Sequence, residues 1–176
     1  MVHITKLFAT SALIVGTGGL LLATPGCATT VQTRAVHACV SNNVTVHLGP
    51  WQGAAGTAYR PVIFTVKSGT CTFTGVPAVQ PLGGPHHHAV GPVAANQSMG
   101  MMPALHTVSA GHSVSASIGF TDTLNYPTAR CHPAAVNAIA VTLPSLGSTQ
   151  YLALSSSACT ALSSVSTRLI VPGTGG

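Results

Sequence analysis

The nine residues His112–Phe120, "HSVSASIGF", alternate without a break from Ser113 onward. Val114, Ala116, Ile118 and Phe120 fall on one side of an extended chain, and Ser113, Ser115, Ser117 and Gly119 on the other. Strand side chains alternate between faces, so this period of two predicts a strand with one buried face and one wet face. The pattern recurs on either side. Val44, Val46 and Leu48 alternate with Thr45 and His47 until "GPWQGAAG" breaks the run, and Ile139, Val141 and Leu143 repeat it in "AIAVTL". "YRPVIFTVKS", Ser68-Gly69 and "CTFTG" together read as a hairpin. "QYLAL" and "SSVSTRLIV" supply two late strands.

Outside the N-terminus no segment keeps a 3.6-residue apolar period, and the 12 prolines oppose long helices. Short strands joined by Gly- and Pro-rich turns make an all-β, two-sheet sandwich the natural architecture. About 140 residues are enough for one such domain. The boundaries expected are a signal segment over 1–27, a short tether over 28–38, the sandwich over 39–173 and a frayed tail over 174–176.

The chain begins "MVHITKLFATSALIVGTGGLLLATPGC". Lys6 supplies a positive start, and Leu7 to Ala23 is uncharged but broken by Gly16, Gly18 and Gly19. That is a secretory pattern, shorter than a comfortable membrane span; the alternative is a retained anchor helix. The five cysteines are Cys27, Cys39, Cys71, Cys131 and Cys159. In an exported chain the last four most simply form two disulfides, with three connectivities open. The leftover Cys27 ends "ATPGC", which resembles a bacterial lipobox: Gly26 fits, while Thr24 and Pro25 are atypical. Cys27 is therefore a candidate lipidation site, against ordinary cleavage after Ala28 or Ala35.

Charge is scarce. Asp122 is the single acid, and after the signal segment Arg34, Arg60, Lys67, Arg130 and Arg168 are scattered; with Lys6 they give the full sequence a net charge of +5. Without a basic patch or interleaved aromatics, nucleic acid is not an expected partner. Adhesion to an anionic envelope polymer is allowed. Membrane contact is expected only through an anchor at Cys27. One carboxylate also excludes paired-carboxylate hydrolysis, two-metal phosphoryl transfer and oxygen-rich calcium loops. "GHSVS" (111–115) lacks the final glycine of a nucleophile elbow and opens a strand, so no catalytic residue is expected. "NVT" at Asn43 matches a glycosylation sequon, read as chance in a bacterial-looking chain. Trp51 beside Pro50 either anchors a ligand or packs over a sheet end.

One stretch resists that bland reading. "GPHHHAVGPVAANQSMGMM" (84–102) carries His86, His87 and His88, then Met99, Met101 and Met102, with His106 and His112 following. Thioethers suit Cu(I), and imidazoles suit Cu(II), zinc or nickel, which makes these residues candidate copper or zinc ligands. No pair has a recognised ligand spacing, and carboxylates to orient the imidazoles are lacking.

"ACVSNNVTVHLGPWQGAAGTAYRPVIFTVKSGTCTFTGVPAVQPL" (38–82) resembles the opening of domain-of-unknown-function family 4232, found in exported actinobacterial proteins and lipoproteins. The early cysteine, the "GAAG" turn, the "FT" strand and "CTFTGVPAV" carry the resemblance. "VSAGHSVSASIGF", "CHP", Cys159 and the closing "VPG" extend it over nearly all of Cys39 to Gly173. It implies an immunoglobulin-like β-sandwich in the envelope or outside the cell, and it implies no activity. The His/Met stretch departs from it. Within such a sandwich we pair Cys39 with Cys71 and Cys131 with Cys159, because each link joins segments bordering neighbouring strands. The expectation is an exported, non-catalytic binding domain of the cell envelope or medium, its partner an unknown envelope component. The alternative is an extracytoplasmic copper or zinc protein using residues 86–112.

Overall fold

The computed structural model describes residues 35–98 and 100–176. The signal segment, Cys27, all but the end of the tether, and Met99 lie outside the described residues. In chain order the strands are β1 (Val44–Leu48), β2 (Gln52–Ala54), β3 (Thr57–Val66), β4 (Thr70–Phe73), β5 (Ala78–Gly83), β6 (His88–Ala89) and β7 (Ala95–Asn96). They continue as β8 (His106–Ser109), β9 (Ser113–Thr121), β10 (Pro133–Thr142), β11 (Thr149–Cys159), β12 (Val165–Thr167) and β13 (Val171–Pro172). A single α-helical turn, α1 (Thr128–Cys131), precedes β10.

The larger sheet runs β1-β3-β9-β12-β7, with β2 added to β3 and β13 to β9; the smaller runs β11-β10-β5-β6. Their inner faces share one core. Val62, Phe64 and Val66 of β3 and Val114, Ala116, Ile118 and Phe120 of β9 meet Val79 of β5 and Val136, Ile139 and Val141 of β10. The all-β sandwich is therefore the fold. The inward phase of β10 changes from Val136 to Ile139 because its register against β11 shifts between Val136 and Ala138. Between the pairs Val136–Ser156 and Ala138–Ala153 β11 advances three residues against two in β10, so β11 carries the extra residue of a bulge at this point.

Both expected disulfides are present, Cys39–Cys71 and Cys131–Cys159, all four cysteines buried. They point to an oxidising, extracytoplasmic environment. No described helix is long and apolar enough to cross a membrane.

Three expectations need correction. The first is the hairpin across Ser68-Gly69. β3 is already paired on one edge by β1 and on the other by β9, so β4 has no edge of it to join. Lys67 N–H instead donates to Asn43 O, and β4 leaves to pair with β8 as a separate two-stranded ribbon. The side chain of Asn43, the sequon residue, is held by Ser68 in the same corner. The second is the wet face of β9. Ser115 is 0% exposed and Ser117 7%. The third explains it: residues 174–176 do not fray at their end. Gly176 N–H donates to Ser115 Oγ, and a Cβ at Gly176 would touch Pro61 and Ser117, so the tail lies against the serine face. Serine and glycine are small enough to let a backbone approach the sheet that closely. At the other end the tether joins the fold early, since Thr72 exchanges backbone bonds with His37 and Cys39.

Candidate functional site

The His/Met stretch is a crossing between sheets. β6 ends it on the smaller sheet and β7 places it beside β12 of the larger one. Gly84–His87 forms the turn from β5 to β6, with His87 in the left-handed region at φ 52. All three histidines are exposed, and the rings of His86 and His88 stand edge to face, 5.9 Å between centroids. Met101 and Met102 are exposed, the latter at 87%. His106 is elsewhere in role: it opens β8, is half-buried, and its Nε2 lies 3.0 Å from Ile170 O. Among the described residues no group of three His, Cys, Asp or Glu side chains is placed to hold a metal ion. Met99 lies outside them.

The other singled-out residues have structural partners. Asp122 Oδ1 accepts from Leu124 N–H, capping a short 3-10 turn, and borders a cleft of about 330 Å³ with Thr57, Phe120 and Ser156. Ser113 Oγ bonds Thr65 Oγ1 at 2.8 Å, so both serines of "GHSVS" serve the sheet. Trp51 closes one end of the core: its ring meets Phe120 edge-on at 5.8 Å, and the Arg60 guanidinium sits 5.3 Å above it. Arg60 Nε in turn donates to Gly49 O. His47 is exposed on β1, while His37 and His132 give backbone carbonyls to Thr72 and Thr160.

A concavity lies at the junction of the ribbon and the larger sheet. A groove of about 680 Å³ runs between Leu105–Ser109 on one wall and Pro172–Thr174 on the other, with Gly111–Val114 closing it. The chain makes it because β8 pairs with β4 alone while β13 pairs with β9, leaving the facing edges apart. The His106–Ile170 bond ties the two walls. His112, whose Nδ1 is 3.2 Å from Ala110 O, lines it as well. No carboxylate borders it. Sequence reasoning missed this groove, since its walls are 60-odd residues apart in the chain, as the His106–Ile170 separation of 64 records. The available signal was the apolar "MMPAL" run before His106, which nothing in a two-faced strand explains.

A β-sandwich stapled by two disulfides, with an open groove at one junction, defines the chain as an all-β disulfide-linked domain. Residues 39–172 match the family described as "Domain of unknown function (DUF4232)", and the chain belongs to that family. No curated protein and no solved structure matches it.

Proposed function

We propose that this chain is an exported, non-catalytic domain that binds a component of the cell envelope or its surroundings, through the groove between β8 and β13. The observation that carries this reading is the groove itself: about 680 Å³ and bordered on one side by a strand edge that pairs with no other strand among the described residues. The two disulfides support a working place outside the cytoplasm. The apolar N-terminal stretch supports export, and "ATPGC" supports an anchor at Cys27. The commitment of Asp122 to a cap supports a role without acid–base chemistry.

The full chain, produced in a bacterial host, should yield an extracytoplasmic product beginning at or beyond Cys27. That product should bind envelope fractions saturably when oxidised and lose binding when reduced. An intact N-terminus retained in the cytoplasm would overturn export, and non-saturable adsorption equal for both forms would overturn binding. With a lipidated Cys27 the product enters detergent, and Cys27→Ala abolishes that partition, since paired acyl chains anchor where one does not.

A copper or zinc reading draws on one observation, the adjacent rings of His86 and His88. Titration of untagged protein should give weak Zn(II) binding that His86/His87/His88→Ala removes. Cu(I) affinity far below micromolar, lost in Met99/Met101/Met102→Leu, would establish the copper function instead.

A further inference from the structure

We propose that the groove takes an extended, anionic peptide segment, which adds as a strand to the free edge of β8; this rests on the binding-domain reading above. The backbone bonds set the geometry. Thr72 spends both its N–H and its C=O on residues 37–39, away from β8. Groups alternate sides along an antiparallel strand, so Cys71 and Phe73 turn theirs to β8, where they face Val108 and His106. The intervening Thr107 then directs its N–H and C=O away from β4, into the groove it lines. On the opposite wall Gly173 N–H donates to Ser113 O, so the neighbouring Pro172 turns its carbonyl away from β9. Pro172 itself has no N–H, so at that position the wall offers an acceptor alone.

The outward N–H and C=O of Thr107 are matched by another extended backbone, the mode in which peptides add to exposed sheet edges, while Ser109 O beside them is already held by His112 N–H. β8 spans four residues, and at about 3.4 Å per residue its edge accommodates a segment of roughly four or five. Its edge carries none of the usual protections. His106–Ser109 contains no lysine, proline or bulge, unlike edges that avoid pairing. Leu105, at the head of the strand, lines the groove and is 68% exposed, which gives the incoming segment an apolar contact beside the ladder. Charge decides the rest. The groove is lined by two imidazoles and no acidic side chain, and the one acidic side chain of the sequence, Asp122, borders another cleft. Acidic side chains are drawn to it and basic ones are not.

The probes are synthetic ten-residue peptides with a Val-Thr repeat, flanked by glutamates or by lysines, titrated onto the oxidised protein. The glutamate peptide should bind at least tenfold more tightly than the lysine peptide. Methylating its amides one at a time should cut affinity about tenfold at every second position and spare those between. Thr107→Pro, which removes the edge donor where a strand tolerates proline, should cost a similar factor, and Trp51→Ala should cost none. Equal affinity for both peptides, or methyl effects without a period of two, would overturn the proposal. So would a concentration-dependent dimer that Thr107→Pro dissolves, since a second copy would then own the edge. If no peptide binds while envelope fractions are still held saturably, strand addition fails and the binding reading survives; if neither binds, both fail.

Discussion

Cys131→Ala/Cys159→Ala unfolds at lower denaturant than the native chain, with a loss of about 3–4 kcal/mol. The link joins residues 28 apart, and the chain entropy it removes from the unfolded state rises with the logarithm of that separation. Cys39–Cys71, spanning 32, is worth nearly the same. Native contacts around the second link do not replace it. Thr160 N–H still reaches Cys131 O and Cys159 N–H still reaches Ser164 Oγ, but these bonds exist only once the chain is folded. Valine is the commonest core residue, with Phe64, Phe73, Phe120 and several Ile and Leu as the large members. A domain of this size has about 5–15 kcal/mol in total, so losing both links removes a large share of it. Equilibrium denaturation of the two double variants and of the reduced protein checks this. A loss below about 1 kcal/mol for either pair would contradict the entropic account, and the fully reduced chain should be substantially unfolded at room temperature.

Gly91→Ala should cost about 3 kcal/mol, a large loss for one added methyl group. Gly91 has φ +68, where an L side chain is strained by about 1–2 kcal/mol. A methyl group there would also run into the Cys159 carbonyl oxygen, inside contact distance, with the Cys159 carbon and Thr160 close behind. That backbone cannot retreat, because Cys159 is fixed by its disulfide and by Ser164. Gly147→Ala separates the two effects: its φ is +69, and a Cβ meets nothing within 4 Å. Thermal unfolding of both variants should place Gly147→Ala near the strain alone and Gly91→Ala well beyond it. Equal losses would mean that the approach of the His/Met crossing to Cys159 contributes nothing.

The strands themselves were legible because alternation is a local property of an extended backbone. Val114 to Phe120, Val44 to Leu48 and Ile139 to Leu143 place their apolar residues inward as their spacing requires. The disulfide pairs were legible because each cysteine borders a strand and the links follow once neighbours are guessed. The all-β class follows from the same local signals. What β4 pairs with was not legible, since an edge is free or taken only after every other strand has been placed, and β9 had already taken the edge of β3. Nor could the alternation of β9 reveal that Ser115 and Ser117 are buried. Burial there depends on Gly176, 61 residues further along, settling on Ser115. The groove has the same origin, for it is the space left between two edges whose strands chose other partners. Periodicity is set by each residue's immediate neighbours, whereas edges, covers and clefts arise from contacts between distant segments, and only the tertiary structure decides them.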